Sequence, residues 1–139
     1  MPFVTTAKTF KGRGIAKVKV VITTAADGTV AETVVGSVQG RLVGVGYKPG
    51  TLATGVDITV KDYESGATVF SLTDAGTSAR FFRPTQVITT VAGVAVTAAT
   101  TAVDVNRDIF LSGKLSVTVA QGGNAFTGEL HLIVAETGF

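Results

Sequence analysis

His131 is the one imidazole in the chain. A Ser-His-Asp site would need the fold to bring it a serine and an orienting acid, and no G-x-S-x-G nucleophile turn occurs anywhere. Leu130, Leu132 and Val134 alternate with it, so His131 falls on the face opposite an apolar stripe and reads as a surface or interface histidine. Asp104, Asn106 and Asp108 spell D-x-N-x-D, the opening of a helix-loop-helix calcium loop. That loop requires glycine at its sixth position and glutamate at its twelfth, where this chain has Ile109 and Leu115, so the stretch reads as a polar connection. With no Cys and a single His, thiolate sites, disulfides and multi-histidine zinc centres are excluded. Gly12/Gly14 and Gly44/Gly46 lack the third glycine of a dinucleotide fingerprint, and no phosphate-loop lysine follows them. Asp62 and Glu64 lie beside a turn signal, where solvated acids are ordinary, and nothing favours them as a glycosidase pair. No catalytic residue, metal ligand or cofactor is assigned.

Charge is unevenly spread. The 139 residues carry a formal +2 with 16% charged side chains, against roughly 25% in soluble domains. Lys8, Lys11, Arg13, Lys17 and Lys19 precede the first acid, Asp27, so residues 1–24 hold +5. The remainder holds 7 basic and 10 acidic residues, a balance of −3. A basic leading segment on a mildly acidic body suits docking on an acidic protein surface. Nucleic acid is disfavoured, because the aromatics form no stacking pattern and the later basic residues are scattered.

Val and Thr number 22 each, and their period-2 arrangement predicts strands. Val18, Val20 and Ile22 oppose Lys17 and Lys19. Val56, Ile58 and Val60 oppose Asp57, Thr59 and Lys61. Leu115, Val117 and Val119 oppose Lys114, Ser116 and Thr118, and Leu130, Leu132 and Val134 oppose Glu129, His131 and Ile133. Each reads as a half-buried antiparallel strand. Val43, Val45 and Tyr47 share a face whose reverse carries Leu42, Gly44 and Gly46, glycines that mark a bulge or a close approach. Thr29–Val35, Thr68–Thr73 and the Val87–Val105 region supply further strands. Asp27-Gly28 predicts a tight hairpin between the Lys17 and Thr29 strands. Pro49-Gly50 predicts a type II turn.

About eight or nine short strands at this spacing predict an all-β fold, an antiparallel β-sandwich or small barrel. Residues 1–14 are expected as a basic N-terminal arm and residues 15–139 as a single β-sandwich domain. The uncharged run Pro84–Val103 is long enough to span a bilayer. Its Thr, Gly and Ala content and lack of aromatic anchors argue instead for strands and turns, and its interleaved Thr and Val argue against a helix over Ala92–Val103. The start, MPFVTTAKTFKGRG, has no apolar run after its basic residues, so synthesis in a cytoplasm is the expectation.

The segment from Gly40 to Ser78, GRLVGVGYKPGTLATGVDITVKDYESGATVFSLTDAGTS, is followed by RFFRP from Arg80 to Pro84. DIFLSGKLSVTVAQGG from Asp108 to Gly123 and a closing GELHLIVAE complete the pattern. In this order of segments the chain resembles small structural proteins of tailed-bacteriophage heads, the capsid decoration (cement, auxiliary) proteins, over roughly 80 residues. The resemblance implies a jelly-roll-like β-sandwich that forms a homotrimer, binds the major capsid protein on the outside of a virion and stabilises the shell without catalysis. Lys8, Phe10, Lys11 and Arg13 are then candidates for capsid contact. Arg80, Phe81, Phe82 and Arg83 are candidates for an interface anchor, since paired aromatics and arginines resemble interface hot spots. The rival reading is a carbohydrate- or receptor-binding β-module of a tail or fibre.

Overall fold

The computed structural model describes residues 3–10, 14–87 and 106–136, with side chains over 14–84 and 109–136. Every regular element among them is a strand: β1 Phe3–Phe10, β2 Ile15–Thr23, β3 Val30–Lys48, β4 Asp57–Asp62, β5 Thr68–Leu72, β6 Arg80–Phe82, β7 Thr85–Val87, β8 Asn106–Ala120 and β9 Thr127–Ala135. All pairings are antiparallel. The sheet path runs β1-β2-β9-β3-β8-β4-β5, with β6 beside β3 and β7 beside β8.

The pairings nest inside one another. Ile15–Thr23 pairs with Thr127–Ala135, and within that pair β3 runs against β8 from Val30↔Val119 to Leu42↔Ile109. Inside these, Val45–Tyr47 pairs with β6, and β4 pairs with β5. The wrapped hairpin is stitched sideways by β3 to β9 and by β4 to β8.

Strand β3 makes this a two-layered, sandwich-like body. Its 19 residues would stretch about 60 Å if straight, at roughly 3.3 Å per residue, whereas a chain of this length has a radius of gyration near 14 Å. It therefore bends, and bulges supply the bend. Its first half joins β8, β4 and β5; its second half joins β6, β9, β2 and β1. One extra residue falls between Val30 and Thr33, one between Val34 and Gly36, and one between Leu42 and Gly44. Each extra residue reverses the parity of the inward face. Accordingly the buried positions run Val30, then Val35, then Val38 and Leu42, then Val45 and Tyr47. Leu42 thus lies in the core with Val45 and Tyr47, where strict alternation had placed it on the reverse side. The inward faces of both layers form one cluster, in which Ile22, Leu42, Tyr47, Ile58, Val117, Leu130 and Leu132 are almost fully enclosed.

Two turn expectations are corrected. Asp27-Gly28 does turn, with Gly28 at φ 83° and the Asp27 carboxylate accepting from the Thr29 hydroxyl at 2.7 Å. It joins no hairpin, because β9 lies between β2 and β3. At Pro49-Gly50 the closing bond runs from the Leu52 N–H to the Pro49 carbonyl at 2.9 Å, so Pro49 is the first turn residue and not the second. The Val87–Val105 region lies outside the described residues beyond Val87, as does most of the Pro84–Val103 run. Among the described residues no helix is long and apolar enough to cross a membrane.

Candidate functional site

The outward face of the layer built from β2, β9, the end of β3 and β6 gathers several charged side chains around one histidine. Register puts Lys19 beside His131, His131 beside Gly46 and Gly46 beside Phe81, one row across four strands. The row above holds Lys17, Ile133 and Gly44; the row below holds Val21, Glu129 and Lys48. Period-2 alternation sends all of these outward because Val18, Val20, Leu130, Leu132, Val45 and Tyr47 point into the core.

The glycines shape this face. A β-carbon at Gly44 would collide with the Phe81 ring, so the absent side chain is what lets the ring lie on the sheet. A β-carbon at Gly46 would sit 3.5 Å from the His131 Cβ and 3.8 Å from the Phe81 Cδ2, an ordinary contact. Gly46 is therefore the open floor between His131 and Phe81. The resulting groove, about 240 Å³, has Phe81, Ile133 and the glycine strip as apolar walls and Lys17, Lys48 and Arg80 at its rim.

Glu129 ties the polar side together. Its Oε1 lies 3.0 Å from His131 Nε2 and 3.5 Å from Lys19 Nζ, and its Oε2 lies 4.0 Å from Lys48 Nζ. Partial burial by itself would raise the Glu129 pKa. The His131 hydrogen bond and the nearby cations outweigh it, and the carboxyl ends below its ordinary value. A carboxylate acceptor at that distance assigns the Nε2 proton of His131 to the contact. Lys19 and Lys48 flank the Glu129 carboxylate and Lys17 lies one row away, so the face is a basic patch beside an exposed ring, while Arg80, in register with the inward Tyr47, lies at its edge. No group of three or more His, Cys, Asp or Glu that could hold a metal occurs among the described residues.

The RFFR segment is divided by its own strand alternation. Phe82 turns inward, packs against the core and meets Phe70 edge-on at a centroid distance of 6.2 Å. Phe81 turns outward and is 67% exposed. Arg80 reaches from the rim to donate to the Ala75 carbonyl at 2.8 Å, while the Tyr47 hydroxyl donates to the neighbouring Gly76 carbonyl at 3.1 Å. Together they strap the loop after β5 onto this layer. Burial raises the Tyr47 pKa against a smaller opposing effect from Arg80, which leaves the phenol a hydrogen-bond donor. Arg83 is exposed just past β6.

Of the leading basic residues, Lys8 and Phe10 belong to edge strand β1, in register with Val18 and Ala16. Lys11 and Arg13 lie outside the described residues, as does Asp104. The sequence reading did not single out Gly46, Lys48 and Glu129 as partners of Phe81. Alternation alone placed Lys17, Lys19, Glu129 and His131 on wet faces, but only strand pairing shows that those faces are one surface.

A second, wider depression of about 480 Å³ is walled by Ser37, Val38, Gln39, Ser112, Gly113 and Glu136. It carries no exposed aromatic and a single titratable group, and it is the weaker candidate. No protein-family model matches this chain, and no curated protein or solved structure matches it.

Proposed function

We propose that this chain is a non-enzymatic structural protein of a virion, a decoration protein that binds the major capsid protein on the outside of a bacteriophage shell as a homotrimer. The observation that carries the reading is Phe81: a large aromatic, two-thirds exposed, held on a rigid sheet with basic side chains around it. Aromatic and arginine side chains in this setting are the usual anchors of protein interfaces, and solvent alone gives a domain no reason to display them. Arg80 and Phe81 serve as the anchor, with Arg83 beyond the groove and Phe82 supporting the strand from inside. Lys8, Phe10, Lys11 and Arg13 are proposed as capsid contacts.

The nested pairing adds support. Leaving aside β1 and β7 and counting the two halves of β3 separately, the pairings run β2-β9-β3-β6 and β3-β8-β4-β5, an order that supports the jelly-roll reading. Viral capsid domains are among the proteins that use a jelly roll. A low charged fraction suits a protein that meets many identical neighbours, and repeated weak contacts reinforce a shell by multivalency.

Co-sedimentation with shells assembled from the major capsid protein tests the reading. Saturable binding and a higher shell rupture temperature are expected, with Phe81→Ala weakening binding by about tenfold or more while leaving the fold intact. Absence of binding at micromolar concentrations overturns it.

A further inference from the structure

The groove beside Phe81 is smaller than the roughly 300–1,000 Å³ of ordinary small-molecule sites, and it suits one large side chain of a protein partner. Its rim is cationic, so the occupant should be acidic. Such a segment exists in this chain. Between residues 57 and 76 lie Asp57, Asp62, Glu64 and Asp74 against the single Lys61. The turn joining β4 to β5 projects Tyr63, 47% exposed, beside the exposed Glu64.

This turn is rigid. The Asp62 N–H donates to the Ala67 carbonyl and the Gly66 N–H to the Asp62 carbonyl, both at 2.8 Å. The Ser65 hydroxyl donates to the Asp62 carboxylate at 2.7 Å, and the Tyr63 N–H donates to the Lys114 carbonyl at 2.9 Å. A preformed turn presenting an aromatic side chain loses little entropy on docking.

We propose that copies of this chain associate head to tail, the Phe81 groove of one copy receiving the Asp62–Tyr63–Glu64 turn of the next. Tyr63 of the incoming copy lies over Gly46 against the Phe81 ring, and Glu64 of that copy meets Lys17 or Lys48. The groove belongs to the outer face of one layer and the turn to the far edge of the other, so each copy can use both at once. A symmetric contact of groove on groove would set Lys17 and Lys48 against their own copies, which disfavours it. Unlike patches that meet head to tail close into rings when the rotation permits. The inference rests on the oligomeric part of the proposed function and identifies the surfaces that would form it.

Sedimentation velocity without any capsid protein tests it. A groove variant, Phe81→Ser with Lys48→Ser, retains its turn, and a turn variant, Tyr63→Ser with Glu64→Ser, retains its groove. All four positions are exposed, and thermal melts superimposing on wild type verify folding. Wild type is expected as a closed trimer, and each variant alone should associate about thirtyfold or more weakly, as loss of an interface hot spot does. Mixed one to one, the variants should form a dimer that grows no further, because only one intact groove and one intact turn remain.

The inference is overturned if either variant keeps the wild-type assembly, if the mixture stays monomeric, or if wild type is monomeric at hundreds of micromolar. An open-ended wild-type chain in place of a ring supports the contact and removes the trimer from the proposed function. Head-to-tail assembly without shell binding likewise leaves the contact standing and overturns the capsid reading. Shell binding by an oligomer indifferent to these variants does the reverse.

Discussion

Thr24 holds more of this structure than its chemistry advertises. It is fully buried, its hydroxyl donates to the Gly123 carbonyl at 2.7 Å and accepts from the Phe126 N–H at 3.0 Å, and its own N–H reaches the Phe126 carbonyl. Thr24→Val preserves the shape but strands a buried donor and acceptor, so a loss of about 1–3 kcal/mol in urea denaturation is expected. Thr23→Val, one residue earlier on the exposed side, should stay within about 0.5 kcal/mol. Glu129 gives a pH prediction with a definite sign. Its folded pKa is depressed below the ordinary 4.5, so the unfolded chain binds its proton more readily. The stability it contributes is present above that ordinary value and is lost as pH falls through the folded one. Glu129→Gln should therefore melt below wild type at pH 7, with the gap closing on acidification below about pH 4.5. A gap that stays constant through the acid range would show that the charge on Glu129 contributes nothing.

Strand β3 is where local pattern and long-range structure part company. Alternation located β2, β4, the centre of β8 and β9 because each has one clean inward face. It read β3 as two separate strands and put Leu42 on the wrong side, because a bulge is invisible to a period-2 rule until its partner strand is known. Val43 is the extra residue that brings Leu42, Val45 and Tyr47 to the same side. Deleting Val43 leaves Leu42, Val45 and Tyr47 on one side of a regular ladder and removes only the bend. A loss of about 1–3 kcal/mol with cooperative unfolding retained is therefore expected in urea denaturation, whereas Val43→Thr, which keeps the bulge, should stay close to wild type. Gly40 is a second constraint on the same strand. It has φ 136°, and a β-carbon there would collide with the Ala135 carbonyl, so the strand crosses β9 only because no side chain intervenes. The Asp27-Gly28 signal was legible as a turn and misleading as a hairpin for a related reason. Turn chemistry is written in the turn residues, but which strand lies beside β2 is settled by where Leu130, Leu132 and Val134 can be buried.

For the molecule as a whole, nesting has a kinetic consequence. The outermost pair joins Ile15 to Ala135, near opposite ends of the chain, so its closure entropy must be met before its contacts stabilise anything. Folding in milliseconds to seconds or slower is expected in stopped-flow experiments, with no microsecond phase carrying the main amplitude. Leu132→Ala, at the centre of the shared core, should cost about 2–5 kcal/mol and accelerate unfolding. The sequence by itself determined the class of structure: Val and Thr content, alternating faces and glycine turns specify antiparallel strands around one core. It also placed Lys17, Lys19, Glu129 and His131 on wet faces, since side-chain direction in a strand is a local property. Only the tertiary structure decided which strands pair, that β3 serves both layers, and that Phe81 faces outward over Gly44 while Phe82 faces in. Backbone hydrogen bonds are nearly blind to residue identity, so pairing is chosen by the collective burial of faces far apart in the chain, and the groove exists only once that choice is made.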